Sequence, residues 1–152
     1  MAKLIDYDII IDTREQKPLP FRGAVKKKLD FGDYGAEVNG ELLPIVFDRK
    51  NPSDAYSTLT VGHDRFKREM ERAYDNGFKL IVIVECSYTT FVNRKFEGAH
   101  NIRLPFGIIE KILHTMQVRY PSFEVVFCTD RSEMQRYIKN YFNALVKEYN
   151  SL

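Results

Sequence analysis

The chain has 152 residues, 44% of them hydrophobic, 13% aromatic and 29% charged, values of a single globular domain that argue against disorder and against a second independent module. The formal net charge of +2 excludes a globally basic nucleic-acid surface, so any phosphate footprint has to be local. Cys86 and Cys128 lie in apolar runs and read as reduced core thiols, and the scattered His63, His100 and His114 make no zinc spacing.

Taken in chain order, Tyr7 to Asp12 reads as a short buried strand whose end delivers Asp12, Arg14 and Glu15. Val25 to Phe31 is expected to form a second strand, with Gly32 allowing a tight turn before Asp33. Asn39-Gly40 is a strong two-residue hairpin signal between Ala36-Glu37-Val38 and an arm running from Glu41 to Phe47. Asn51 as N-cap, Pro52 at the first helical position and an acid in the first turn open a helix, interrupted near Val61-Gly62-His63 and closed by Asn76-Gly77. Leu80 to Val84 is the most apolar run and reads as a central parallel strand buried on both faces.

Residues 88 to 104 read as an irregular surface loop, followed by a helix from about Phe106. Glu124 to Cys128 is another strand, and Asp130 with Glu133 forms a capping box before the last helix. That helix carries Met134, Tyr137, Ile138, Tyr141, Phe142, Leu145 and Tyr149 on one stripe, which serves either as core or as a homodimer surface. The order predicts a three-layer α/β fold with a central mixed β-sheet flanked by helices, over one domain spanning 1–152.

The chemistry concentrates at Asp33 and at Asp48-Arg49-Lys50. A phosphodiester repels nucleophiles and leaves as an alkoxide, so its hydrolysis calls for positive charge. Mg²⁺ and similar ions supply that charge from oxygen ligands, typically one or two carboxylates. Asp33 and Asp48 are candidates for those carboxylates. Residues two apart in a strand face the same side, so Lys50 points with Asp48 while Arg49 points away. The hairpin brings Asp33, before its first arm, toward Asp48, after its second. Lys26-Lys27-Lys28 and Arg94-Lys95 with Arg103 are the local basic stretches that could meet phosphates.

Ile11-Asp12-Thr13-Arg14-Glu15, Gly32-Asp33-Tyr34 and Asp48-Arg49-Lys50 with Asp54 closely resemble the nuclease domain of the XPF family of structure-specific DNA endonucleases. That family belongs to the restriction-endonuclease-like PD-(D/E)xK superfamily. The resemblance spans nearly the whole chain and implies the restriction-endonuclease-like fold. It also implies an endonuclease that uses Mg or Mn, acts on branched or flap DNA and leaves 5′-phosphate and 3′-hydroxyl ends, with no small-molecule cofactor.

Residue by residue, the resemblance implies Asp33 and Asp48 as metal ligands, with the Arg49 carbonyl a third. Asp12 is placed among the metal residues at the edge of the site, beside Glu15. Lys50 is implied as the catalytic lysine, while Arg14 and Arg49 orient carboxylates or phosphate. Asp54, Gly32 and Tyr34 shape the site, and Arg65, Lys28, Arg94 and Lys95 are expected on nucleic acid.

Two departures from the family pattern stand out. Asp48 replaces the usual glutamate, drawing its oxygens back by roughly 1.5 Å, about one C–C bond. The tandem helix-hairpin-helix module typical of the family is absent from the 152 residues. Branch selectivity is then expected from homodimerisation through the C-terminal helix, from the loop at 88–104, or from a partner. The first departure keeps open an alternative, a catalytically weak DNA-binding or scaffold subunit of a nuclease complex.

Stand-alone domains of this kind resemble phage or mobile-element proteins, which implies the cytoplasm of a bacterial or archaeal host. An intracellular location is expected independently, because Lys3, Asp6 and Asp8 precede any apolar run and no segment is long enough to span a bilayer.

Overall fold

The computed structural model describes residues 6–150. The chain runs through β1 (Asp8–Ile11), a two-residue β2 (Val25–Lys26), β3 (Tyr34–Val38), β4 (Glu41–Leu42) and β5 (Ile45–Lys50). There follow α1 (Pro52–Leu59), α2 (His63–Asp75), β6 (Lys79–Glu85), α3 (Tyr88–Val92), α4 (Ile108–Arg119), β7 (Phe123–Cys128) and α5 (Arg131–Asn150). Lys3 of the N-terminal reading lies outside the described residues. Among those residues no helix is long and apolar enough to cross a membrane.

The strands form one mixed sheet in the order β2-β1-β3-β5-β6-β7, with β4 added to β3. β1 and β5 run antiparallel to β3, whereas β5, β6 and β7 are parallel. The alternation of β6 divides the core. Leu80, Val82 and Val84 pack with Val46, Phe66, Met70, Ile109 and Leu113 on the face covered by α1, α2 and α4. Ile81 and Ile83 pack with Ile9, Phe47, Met134, Ile138 and Phe142 on the face covered by α5. Each fully buried aliphatic or aromatic side chain contributes about 1.5–3 kcal/mol, so a strand apolar on both faces is stable only between two helical layers. The result is the expected three-layer α/β architecture with a central mixed sheet flanked by helices.

Several local expectations are borne out for physical reasons. Asn39 and Gly40 take φ of 51° and 82°, the left-handed pair that a two-residue hairpin requires. The Asn51 side chain accepts from the Asp54 N–H at 2.8 Å, capping α1 with Pro52 at its start. The helical stretch breaks between Leu59 and His63, and the Glu133 N–H donates to Asp130 Oδ1 at 2.8 Å where α5 begins.

Other expectations change. The strand predicted over Val25 to Phe31 shrinks to Val25–Lys26, because the Leu29 N–H donates to Asp12 Oδ1 at 2.8 Å and the Leu29 carbonyl accepts from Arg14 at 2.8 Å. Side chains have replaced the ladder there. Pro44, which has no N–H to give, divides the second hairpin arm into β4 and β5. The loop predicted at 88–104 contains α3, capped where Ser87 Oγ accepts from the Thr90 N–H at 3.0 Å, and a 3₁₀ turn at Ala99–Asn101. Phe106 precedes α4 and does not belong to it.

The C-terminal stripe is mostly core. Met134, Ile138 and Phe142 are fully buried, and Tyr137 and Tyr141 meet Phe47 edge-on at 6.2 and 5.3 Å. Tyr137, Tyr141 and Leu145 are half-buried and Tyr149 is exposed.

Candidate active site

Register brings the two principal acids together. Tyr34 of β3 stands opposite Phe47 of β5 in an antiparallel pair, so Asp33 just before β3 meets Asp48 just after Phe47. The Asp33 N–H donates to the Phe47 carbonyl at 2.7 Å, and Asp33 Oδ2 accepts from the Arg49 N–H at 2.7 Å. Gly32 permits this approach. Its φ is +74°, and a Cβ there would lie 2.9 Å from the Phe47 oxygen.

The side chains of β5 sort by parity. Lys50 Nζ lies 3.4 Å from Asp48 Oδ2, both half-buried. Arg49 turns the other way and grips Glu15 with two hydrogen bonds, Nε to Oε2 at 3.0 Å and Nη2 to Oε1 at 2.9 Å. The hydroxyl of fully buried Tyr34 donates to Glu15 Oε2 at 3.2 Å and accepts from the Leu19 N–H at 2.9 Å. This network braces the sheet immediately behind the Asp33–Asp48 pair.

The electrostatics follow. Burial, then the charge of Asp48 and a hydrogen bond between the two carboxyls, pushes the Asp33 pKa up to about 8, against the opposing Arg49 N–H donation. Glu15 is the reverse: burial raises its pKa, but the hydrogen bonds and charge of Arg49 outweigh it and leave the carboxyl below its usual range. Arg49 is raised correspondingly, chiefly by its hydrogen bond to Glu15.

Asp12 sits at the edge of the site, its N–H donating to the Asp33 carbonyl at 2.8 Å. It is 2% exposed, its Oδ1 accepts from the Leu29 N–H, and its Oδ2 accepts from the Arg14 N–H at 3.2 Å and Nε at 2.8 Å. Among the described residues no three His, Cys, Asp or Glu side chains are grouped to hold a metal ion, so Asp12 does not join Asp33 and Asp48 in a three-acid set. Its oxygens hold Arg14 and the Leu29 backbone instead.

Asp54 is exposed and accepts from the Asn51 amide at 3.0 Å, within the helix cap. Arg65, Lys28 and Lys95 are exposed, while Arg94 is half-buried and bonded to Tyr56 and the Pro105 carbonyl. Sequence reasoning missed Glu69. Its carboxyl is exposed on α2, and desolvation by the surrounding protein, then the charge of Asp48, raises its pKa, opposed by Lys50, Arg72 and Arg65. It also missed Arg131, which fixes the backbone beyond Glu15 through the Lys17 and Pro18 carbonyls at 3.1 and 3.0 Å.

A model of the ERCC4 domain matches residues 11–141, which include every residue of this site. The chain belongs to the ERCC4 domain family. The ERCC4 domain described here is similar in fold to XPF from Aeropyrum pernix in complex with DNA, with TM-score 0.67 and 20% identity over 94% of this chain. A second structure of XPF from the same organism gives TM-score 0.61 and 21% identity over 88% of this chain. The ERCC4 chain spans 66% and 58% of those two proteins. No curated protein matches it.

Proposed function

We propose that this ERCC4 domain is a divalent-metal-dependent DNA endonuclease that hydrolyses phosphodiesters in branched or flap DNA. The observation that carries the reading is the convergence of Asp33, Asp48 and Lys50 at one end of the β3–β5 pair, braced from behind by Glu15 and Arg49.

The donor set fits Mg²⁺ or Mn²⁺. Two half-buried carboxylates offer hard oxygen ligands, and a cation between them would offset what raises the Asp33 pKa, burial first and then the charge of Asp48. Asp33, Asp48 and the Arg49 carbonyl would hold the ion. Bound there, it would supply Lewis-acid stabilisation of the phosphoryl oxygens and would acidify water for attack.

The protein's own groups do the rest. Lys50 holds an ammonium beside Asp48, where it offsets charge developing on the phosphoryl group and orients the incoming water. Arg49 and Glu15 fix the backbone that carries both acids. Arg14 is held by Asp12 at one edge of its guanidinium and is 66% exposed, so it is available to a DNA phosphate.

Labelled flap, splayed-arm, four-way-junction and linear-duplex substrates, incubated with Mn²⁺ or EDTA, test the reading. Cutting that needs Mn²⁺, prefers a branched substrate and is abolished by Lys50→Ala is expected. Metal-independent cutting, or full activity in Lys50→Ala, overturns the mechanism. DNA binding with no cutting at millimolar Mn²⁺ identifies a scaffold subunit instead.

A further inference from the structure

A groove of about 560 Å³ opens between the end of α3 and the start of α4, lined by Arg94, Lys95, Phe96, His100 and Phe106 among others. Its outer wall is unusual. Phe106 is 73% exposed, while Ile102 and Leu104 of the same loop pack against the core. One ring face is occupied: the Arg94 guanidinium carbon lies 4.3 Å from the centroid.

Arg94 is itself over-determined. It adopts φ of 57°, a left-handed conformation uncommon for a side chain of its size, and is pinned through Nε to Tyr56 Oη at 3.0 Å and through Nη2 to the Pro105 carbonyl at 2.8 Å. Phe96 stacks on Phe91 at 5.9 Å and anchors the loop to the core. The groove is therefore rigid before any ligand arrives.

Its position matters as much as its chemistry. Gly98 backs onto the first turn of α1, where a Cβ would lie 3.4 Å from Ser53 Oγ, and Tyr56 lies in the next turn. Lys50 ends β5 immediately before that helix. The groove thus flanks the acidic pair on the α1 side. Lys95 and His100 are exposed around it and Glu97 is the one acid in its lining, so the balance of charge favours an anionic ligand.

We infer that this groove is a binding site for single-stranded DNA, with an unpaired base stacking on Phe106 beside Arg94 and its backbone phosphates running past Lys95. The inference rests on the nuclease reading above and deepens it. An aromatic platform accepts any unstacked base but cannot engage a base held within a duplex. A single-stranded arm seated here would set the branch point of a flap against Asp33, Asp48 and Lys50.

The test is fluorescence anisotropy in EDTA, with a labelled single-stranded oligonucleotide and a duplex of the same length, so that binding is read without cleavage. Phe106→Ala is expected to weaken single-strand binding about 5- to 150-fold while leaving duplex binding unchanged, and Phe106→Tyr to retain wild-type affinity. Lys95→Ala is expected to reduce the salt dependence of single-strand binding by about 0.7 in log–log slope. Unchanged single-strand binding in Phe106→Ala, or an equal loss on duplex, overturns the inference.

The wild type run in parallel with Mn²⁺ on the branched substrates separates the two readings. No cleavage with Phe106-dependent single-strand binding removes the nuclease reading and keeps this site. Cleavage with Phe106-independent binding does the opposite.

Discussion

Asp33→Asn should stabilise the fold while removing activity, because the wild-type carboxyl is held in conflict. With a folded pKa of about 8 against an ordinary value of 3.8, Asp33 is largely protonated in the folded protein at pH 7 and ionised in the unfolded chain. A carboxyl whose pKa is raised on folding lowers stability progressively as pH climbs from the unfolded value to the folded one. From the 3.2-unit gap between pH 7 and 3.8, the cost reaches about 4 kcal/mol at pH 7 and vanishes below pH 4. Asparagine keeps the shape, can accept from the Arg49 N–H and can donate to Asp48, but has no proton to lose. Urea unfolding in EDTA at several pH values between 4 and 8 should therefore show the variant more stable by about 1–4 kcal/mol at pH 7, with the advantage disappearing at pH 4. Millimolar Mn²⁺ should narrow the gap by stabilising only the wild type. Parallel pH profiles for the two proteins, or an asparagine variant less stable at pH 7, would refute the electrostatic account of the site.

The brace behind the site has its own signature: Glu15→Gln removes one charge from a bidentate pair that is largely buried, and should cost about 3 kcal/mol in urea unfolding at pH 7. Since the Glu15 pKa is depressed on folding, its contribution is present above the ordinary carboxylate pKa and lost as pH falls. A variant equally destabilised at pH 3 and pH 7 argues against that pair. Gly32→Ala forces a Cβ to 2.9 Å from the Phe47 oxygen at a φ of +74° and should cost about 2–4 kcal/mol, shown by a lowered Tm; an unchanged Tm means that the turn is not under the stated constraint. Asp48→Glu extends the carboxylate by about 1.5 Å and should tighten Mn²⁺ binding by about tenfold in a calorimetric titration. Equal or weaker binding would mean that aspartate already sits at the right depth.

What could be read in the sequence was whatever a local rule determines. Asn39-Gly40 admits essentially one kind of turn, and that turn sets Asp33 against Asp48. The alternation of β6 is equally legible, since a run apolar on both parities has to sit between two layers. What escaped were contacts in which a side chain completes the backbone or reaches across layers. The resemblance placed Asp12 among the metal residues at the edge of the site, and nothing in the sequence announced what its side chain would bond. Its oxygens accept from Leu29 and Arg14, and the bond to Leu29 is one of the two that cut the predicted second strand to two residues. Glu69 carried no signal at all, because the influence of Asp48 on it depends on how α2 is placed after the break at Gly62.

The distribution of order within the site follows from these contacts. Behind the acidic pair, Glu15, Arg49 and Tyr34 satisfy one another almost completely, so that layer is rigid and its bonds are spent on structure. In front, Asp33 accepts the Arg49 N–H and Asp48 has the Lys50 ammonium beside it, while burial and the charge of Asp48 disfavour the ionised form of Asp33. A scaffold with no chemistry to perform would gain stability by replacing Asp33 with an amide. Retaining both, on a braced strand with a lysine two residues on, is the arrangement expected where a cation and an anionic phosphodiester supply the missing balance when they bind.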